Sequence, residues 1–314
     1  MTTKTTNKGV YWGYHTELEV TTSKRSLIFS DNNPIGYGGK IDFTAPFNTD
    51  GSVNYITITL YNLSKDHLDA VRNKMTFTLK SGPEDLFGLL TEGTIIQREE
   101  EQRDNLDYPL KLKCLSGKDY SKTAAIYSYS STVEAKKKSF TIKKGEVVRY
   151  NKKKRKKVRL SFKKNTKAST IIKRVCRQAN IKLAHMWLKK DKVFTSSYTV
   201  SSKPYNELKK LAKACGSKLY YRRDGLVMDD FSKADPYKEH IYVTSVNGLL
   251  NEPVLNDDDE GGQTYTLTMP LDPRVDAGSV IEVKSDTLTG FVRVINGQHS
   301  SEDYTTECEV KRID

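Results

Sequence analysis

Nowhere does this chain of 314 residues approach the roughly 18 consecutive apolar residues that a membrane-crossing helix needs. Met1 to Val10 lacks the apolar core of a secretion signal, which predicts a protein made in a cytoplasm and kept soluble there. Cysteine is scarce. Cys114, Cys176, Cys215 and Cys308 lie far apart with no CxxC pair, so zinc spacing is absent, and four mostly buried thiols are expected rather than disulfides. The five histidines, His15, His67, His185, His240 and His299, form no HExxH or HxH pattern, so hydrogen-bonded or solvated rings are expected, not metal ligands. A hydrophobic share of 36% with 29% charged residues is polar for a compact enzyme, yet 18 Tyr are too many for a disordered chain.

Acidic residues are missing from one place in particular. The chain carries 52 Lys and Arg against 39 Asp and Glu, a formal +13. Between Lys136 and Lys167 stand 16 Lys and Arg and a single acid, Glu146, so these 32 residues contribute +15 and all the others together −2. A basic field over the whole body is thereby excluded. Within the segment, Lys152, Lys153, Lys154, Arg155, Lys156, Lys157 and Arg159 are the candidate contacts for a polyanion such as DNA or a cell-wall polymer. With 13 Lys to 3 Arg, diffuse attraction to phosphate is expected rather than bidentate reading of bases. The competing reading is a solvated hairpin whose apolar positions pack on its own domain while the lysines face water.

The apolar pattern implies a mainly β chain with an α+β insertion. Asn54 to Tyr61 alternates with period two, as do Met75 to Lys80 and Leu110 to Leu115, and further strands are expected at Ile41 to Phe43 and Gly93 to Gln97. Ser64 is placed to cap a short helix that turns Leu68 and Val71 inward. In the middle, alternation at Ser139–Ile142, Val147–Tyr150 and Val158–Phe162 puts Asn151–Lys157 (NKKKRKK) at a hairpin tip. Ser169 then precedes a helix with Ile171, Ile172, Val175, Cys176 and Ala179 on one side, and a second helix runs from Pro204 to a stop at Gly216. Asp224-Gly225 marks a tight hairpin between Leu219–Tyr221 and Leu226–Met228. Strands return at Ile241–Val246, Tyr265–Met269, Val280–Lys284, Phe291–Ile295 and Thr305–Val310. The expected division is a β-barrel domain over 1–125, a basic hairpin over 126–167, an α+β module over 168–237 and a second β-barrel domain over 238–314.

Motifs that carry chemistry are weak. Gly36-Tyr37-Gly38-Gly39-Lys40 lacks the spacing of a phosphate loop, and Asp257-Asp258-Asp259-Glu260-Gly261-Gly262 has Thr268 where a calcium-binding EF-hand loop needs Glu. No catalytic, cofactor or metal residue is nominated.

The order of Ile41-Asp42-Phe43, Asn54 to Ser64, Met75 to Leu79 and Leu90 to Ile95 resembles the start of baseplate hub proteins of contractile phage tails and phage-like bacteriocins, the late-control protein D group. Val246 to Pro253, Leu271 to Asp276, Gly278 to Val283 and Gly290 to Val294 are similar to that family's C-terminal part. The resemblance implies a non-enzymatic homotrimer of two tube-like barrels per subunit that joins the hexameric tail tube to a trimeric central spike, with tape-measure protein and DNA passing through its lumen. It also implies a place in the virion's tail baseplate after assembly in a bacterial host's cytoplasm. The basic segment satisfies no motif of that family. Two alternatives stand beside this reading: a tail-tip cell-wall hydrolase, and a polyanion-binding module acting through 136–167.

Overall fold

A computed structural model of the chain describes residues 12–21, 26–32, 39–101, 107–125, 127–141, 147–223, 225–232, 237, 239, 241–257 and 263–313, without the side chains of 127–158 and 257. Its elements in chain order begin with β1 (His15–Thr21), β2 (Ser26–Ser30), β3 (Ile41–Asn48), β4 (Tyr55–Tyr61), α1 (Lys65–Ala70), β5 (Thr76–Gly82), β6 (Gly88–Glu100) and β7 (Pro109–Ser116). The middle holds β8 (Tyr127–Thr141), β9 (Val147–Arg159), β10 (Ser161–Phe162), β11 (Thr166–Lys167), α2 (Ala168–Ala179), β12 (Leu183–Met186), β13 (Val193–Phe194), β14 (Tyr198–Thr199) and α3 (Pro204–Ala214). The last third is β15 (Lys218–Arg222), β16 (Gly225–Asp229), β17 (Ile241–Thr244), β18 (Val254–Asp257), β19 (Gln263–Pro270), β20 (Val280–Lys284), β21 (Thr289–Ser300) and β22 (Thr305–Arg312). The protein is mainly β with small helical insertions.

These strands form because their side chains alternate between two environments. β4 buries Ile56, Ile58 and Leu60 and leaves the residues between them part-exposed, while β22 buries Thr306, Cys308 and Val310 in the same way. The first set joins Leu18, Val20, Ile41, Phe43, Phe77, Leu79 and Leu112 in one core. The second joins Ile241, Val243, Leu267, Ile281, Val283, Val292 and Val294 in another. Each fully buried aliphatic side chain contributes about 1.5–3 kcal/mol, so each core is a substantial stabilising body in its own right.

The two β-rich ends are nevertheless one sheet. Its strands follow the order β18-β19-β22-β21-β3-β4-β7-β6-β5-β1-β2, with β20 also on β21 and β17 parallel to β20. The link is β21. Thr289 to Arg293 pair with β20, and Asn296 to Ser300 pair with β3. The register of β21 against β22 shifts between Val294 and Asn296, the point at which β21 exchanges β20 for β3 as its other neighbour.

The chain divides into a large unit, Met1–Asp119 with Leu183–Lys189 and Ser217–Asp314, and a small unit, Tyr120–Lys182 with Lys190–Gly216. In the large unit β12, β16 and β15 form a three-stranded sheet, β15 and β16 being the expected hairpin. Ser64 caps α1 as its position implies, its Oγ accepting from His67 N at 3.3 Å. In the small unit, α2 and α3 pack together and bury Ile171, Ile172, Val175, Leu208 and Leu211. Helix α2 begins at Ala168, so Ser169 stands in its first turn rather than before it. Its N-terminus is capped instead from a distant loop, where Asp191 accepts from Ser169 N at 2.9 Å and Oγ at 2.7 Å.

One expectation is overturned. Asn151–Lys157 is not a hairpin tip but lies within β9, whose pairing with β8 runs to Thr141 opposite Val147. Strands β8 and β9 form a two-stranded sheet of their own in which Lys136 stands opposite Lys152 and Glu134 opposite Lys154. A run of six basic residues has no apolar alternation of its own, so only its pairing with β8 defines it as strand.

Candidate functional site

A cluster of charged groups is buried in the large unit. Strand β21 reads Phe291-Val292-Arg293-Val294, and the alternation breaks there because Val292, Arg293 and Val294 are all buried. Arg293 is 1% exposed. Its guanidinium donates to Asp229 Oδ2 at the end of β16, to Asp230 O at 3.0 Å and to Gly278 O at 3.1 Å, and it covers the Phe231 ring at 4.4 Å. Tyr220 of β15 donates to the same Asp229 oxygen at 2.7 Å, and its own oxygen lies 2.7 Å from that of Tyr237. Arg222 stacks on Tyr237 at 3.6 Å and donates to Ala277 O at 2.9 Å.

Burial is the main influence on these groups. It raises the Asp229 carboxyl above the usual range despite the opposing charge of Arg293, and it raises the Tyr220 and Tyr237 hydroxyls. A network of this kind holds the β15–β16 hairpin against the core of the C-terminal strands. It is an ionic clamp whose named groups bond one another and nearby backbone carbonyls, while the buried Asp229 Oδ1 has no hydrogen-bond partner among the described residues.

His299 belongs to the same unit. Its Nε2 must carry the proton, because it faces the Val275 carbonyl at 3.1 Å, and Nδ1 accepts from Thr306 Oγ1 at 2.8 Å. Full burial lowers its pKa to about 4, so the ring is neutral and both nitrogens are occupied. All four cysteines are buried and free, as expected, and burial pushes Cys114, Cys176 and Cys308 up to about 12, far from a reactive thiolate. Among the described residues no group of three His, Cys, Asp or Glu is placed to hold a metal ion. An open groove of about 690 Å³ is lined by Asp31, Lys40, Asp42, Glu302 and Tyr304. Its polar groups are turned on one another: Lys40 pairs with Asp42 at 2.8 Å and Tyr304 donates to Asp31 at 2.9 Å.

Of the polyanion candidates, Lys152, Lys153, Lys154, Arg155, Lys156 and Lys157 lie on β9 with side chains outside the described residues, and Arg159 ends the strand with its side chain exposed. The Gly36–Gly38 part of the glycine-rich loop, residues 258–262 of the acidic loop and His240 also lie outside the described residues.

No known family model matches the chain, and no curated protein matches it in sequence. Solved structures do match it. The 43 kDa tail protein of prophage MuSo2 from Shewanella oneidensis is similar at a TM-score of 0.59 with 11% identity, over 95% of this chain and 98% of that one. A tail protein from Neisseria meningitidis is similar at 0.57 with 10% identity, over 96% and 97%. The fold is that of phage tail proteins. An Escherichia coli component of the type VI secretion system, itself described as structurally similar to tail proteins of bacteriophage T4, shares this tail-protein fold at 0.53 with 6% identity, over 89% and 76%.

The clamp of Arg293, Asp229 and Arg222 was not singled out from the sequence. The signal available was a charged residue inside an apolar strand run, which marks a buried partner without saying where in the chain that partner lies.

Proposed function

We propose that the chain is a structural hub of a phage or phage-like tail baseplate, a homotrimer that joins the hexameric tail tube to the trimeric central spike. The observation that carries this reading is the join between β3 and β21, which makes the two β-rich halves of one chain neighbours in a single sheet. Three copies then supply six such halves, the number needed to adapt threefold to sixfold symmetry. The sheet path ends on β18 at one side and β2 at the other, with Val254, Leu255 and Ile28 exposed on these edge strands. Exposed apolar edges of this sort are covered by pairing or assembly in a working protein.

Near-complete coverage of two tail proteins by the same fold supports the assignment to a tail. In this reading the protein sits in the virion's baseplate, contacts tube and spike, encloses a lumen for tape-measure protein and DNA, and carries out no catalytic step.

The test is assembly. Light scattering on the purified chain, alone and with tube and spike partners, is expected to give a trimer, and images along its axis a threefold ring with a central channel. A strictly monomeric species at high concentration with both neighbours present overturns the proposal. Release of fragments from purified peptidoglycan would establish an enzyme instead.

A further inference from the structure

Sorting the charges by structural unit changes their meaning. The small unit of 90 residues holds 27 Lys and Arg against four acids, a net +23, whereas the large unit of 224 residues holds 25 against 35, a net −10. The basic character is therefore not confined to the β8–β9 ribbon. Leaving out every residue of that ribbon whose side chain is undescribed, the small unit still has 15 basic residues against Asp191 and Glu207.

Both of those acids are engaged internally. Asp191 caps α2. Glu207, 1% exposed, accepts from Ser201 and Ser202 through both their amides and hydroxyls and from Tyr198 at 2.7 Å.

The two helices present their cations in the same way. On α2, Lys173, Arg174 and Arg177 occupy positions i, i+1 and i+4, all exposed, opposite the buried Ile171, Ile172, Val175 and Cys176. On α3, Lys209, Lys210 and Lys213 repeat that spacing opposite the buried Leu208, Leu211 and Ala212. Lys210 lies 3.5 Å from Glu207, Lys173 is close enough to Asp191 to help lower that carboxyl's pKa, and the half-buried Lys209 lies over the Tyr205 ring at 5.4 Å.

We propose that the small unit is a sequence-independent docking body for duplex nucleic acid. Three observations select that partner. Complete neutralisation by the chain's own large unit still leaves +13, an excess available to a polyanionic partner. Lys outnumbers Arg by 22 to 5 in the unit, which suits point contacts to phosphates rather than bidentate reading of bases. The 13-residue β9 is about 43 Å long at roughly 3.3 Å per residue, and a duplex of that length carries about 25 phosphate charges, close to the unit's own excess. A two-stranded ribbon also has the width that a major groove admits. The inference stands apart from the hub reading, since duplex affinity and oligomeric state are measured separately.

The experiment is fluorescence anisotropy of a labelled 30-base-pair duplex with the intact chain at 50–300 mM NaCl. Neutralising about six phosphates gives a log–log salt slope near −5 and an affinity loss of about a thousandfold between 50 and 200 mM, whatever the base sequence. The triple variant Lys173→Glu, Arg174→Glu, Arg177→Glu is expected to weaken binding at least about tenfold at 50 mM and to flatten the slope by two to three units. The milder triple change to Gln, with circular dichroism and a thermal melt on both, separates lost binding from lost folding. Lys284→Glu on β20 of the large unit should leave affinity unchanged. Absence of binding at 50 mM, a slope flatter than about −2, or triple variants that fold and bind like the parent overturns the proposal. So does retention on heparin or polyphosphate without affinity for the duplex, which would assign the surface to another polyanion.

Discussion

Gly278 lies so close to Tyr220 that a Cβ on the glycine would stand 2.2 Å from the tyrosine hydroxyl oxygen. Its φ of +75° is also one that side chains disfavour. The same Tyr220 hydroxyl bonds Asp229, and Gly278's carbonyl receives Arg293. The close approach is thus part of how the ionic clamp is assembled, and it can be tested directly.

Gly278→Ala is expected to destabilise the chain by about 2–4 kcal/mol, from a disfavoured φ and an overpacked contact. Combining it with Tyr220→Phe removes the clashing oxygen, so the double variant should be less destabilised than the sum of the singles by at least about 0.5 kcal/mol. Urea denaturation of all four proteins reads this coupling, and strict additivity would refute the contact.

Removing one partner of the Arg293–Asp229 pair strands a buried charge. Arg293→Met alone or Asp229→Asn alone should each cost about 3–5 kcal/mol, with the double variant costing clearly less than their sum. Thermal melts check this. Two small, additive effects would show that the pair is not isolated from solvent.

His299 makes stability depend on pH. Its folded pKa of about 4 lies below the ordinary value near 6.5, so between these limits the unfolded chain binds more protons than the native one. The contribution is fully present above pH 6.5 and is lost as pH falls through 6.5 towards 4, by roughly 3 kcal/mol in all. His299→Gln should flatten the stability profile in that window, as measured by urea midpoints at half-unit pH steps. An unchanged profile would place the proton uptake elsewhere.

Glu207 organises the small unit. Burial raises its pKa, but the hydroxyls of Ser202 and Tyr198 and the Ser202 amide outweigh burial and bring it to about 2. Glu207→Ala leaves several donors without a partner and should cost about 2–4 kcal/mol. Hydrogen exchange at Ser201 and Ser202 should quicken first, while exchange in β3 and β21 stays at the parent rate. Protection retained at both serines would contradict the role.

How much of this is written in the residues one after another depends on the range of the interaction. The alternation of Ile56, Ile58 and Leu60, the Ser64 cap, the stop at Gly216 and the turn between Tyr221 and Leu226 are local, decided within a few residues by steric and solvent preferences, and each is legible directly. The short edge strands β2 and β18 escape notice because an edge is half-solvated and its pattern is diluted. Asn151–Lys157 misleads for the opposite reason: polar throughout, it is strand only because β8 supplies the other half of its hydrogen bonds.

The remaining features depend on groups far apart in the chain. Arg293 and Asp229 are separated by 64 positions, and β3 meets β21 across some 250. A lone Arg in an apolar strand announces that a partner exists, but burial in low dielectric fixes which partner only once the chain has closed around it. The charge division follows the same logic. Lys136 to Lys167 are visibly basic in the chain order. The opposition of +23 and −10 emerges only because Leu183–Lys189 and Ser217–Asp314 join the N-terminal third in the large unit, leaving two basic helices and the ribbon to the small one.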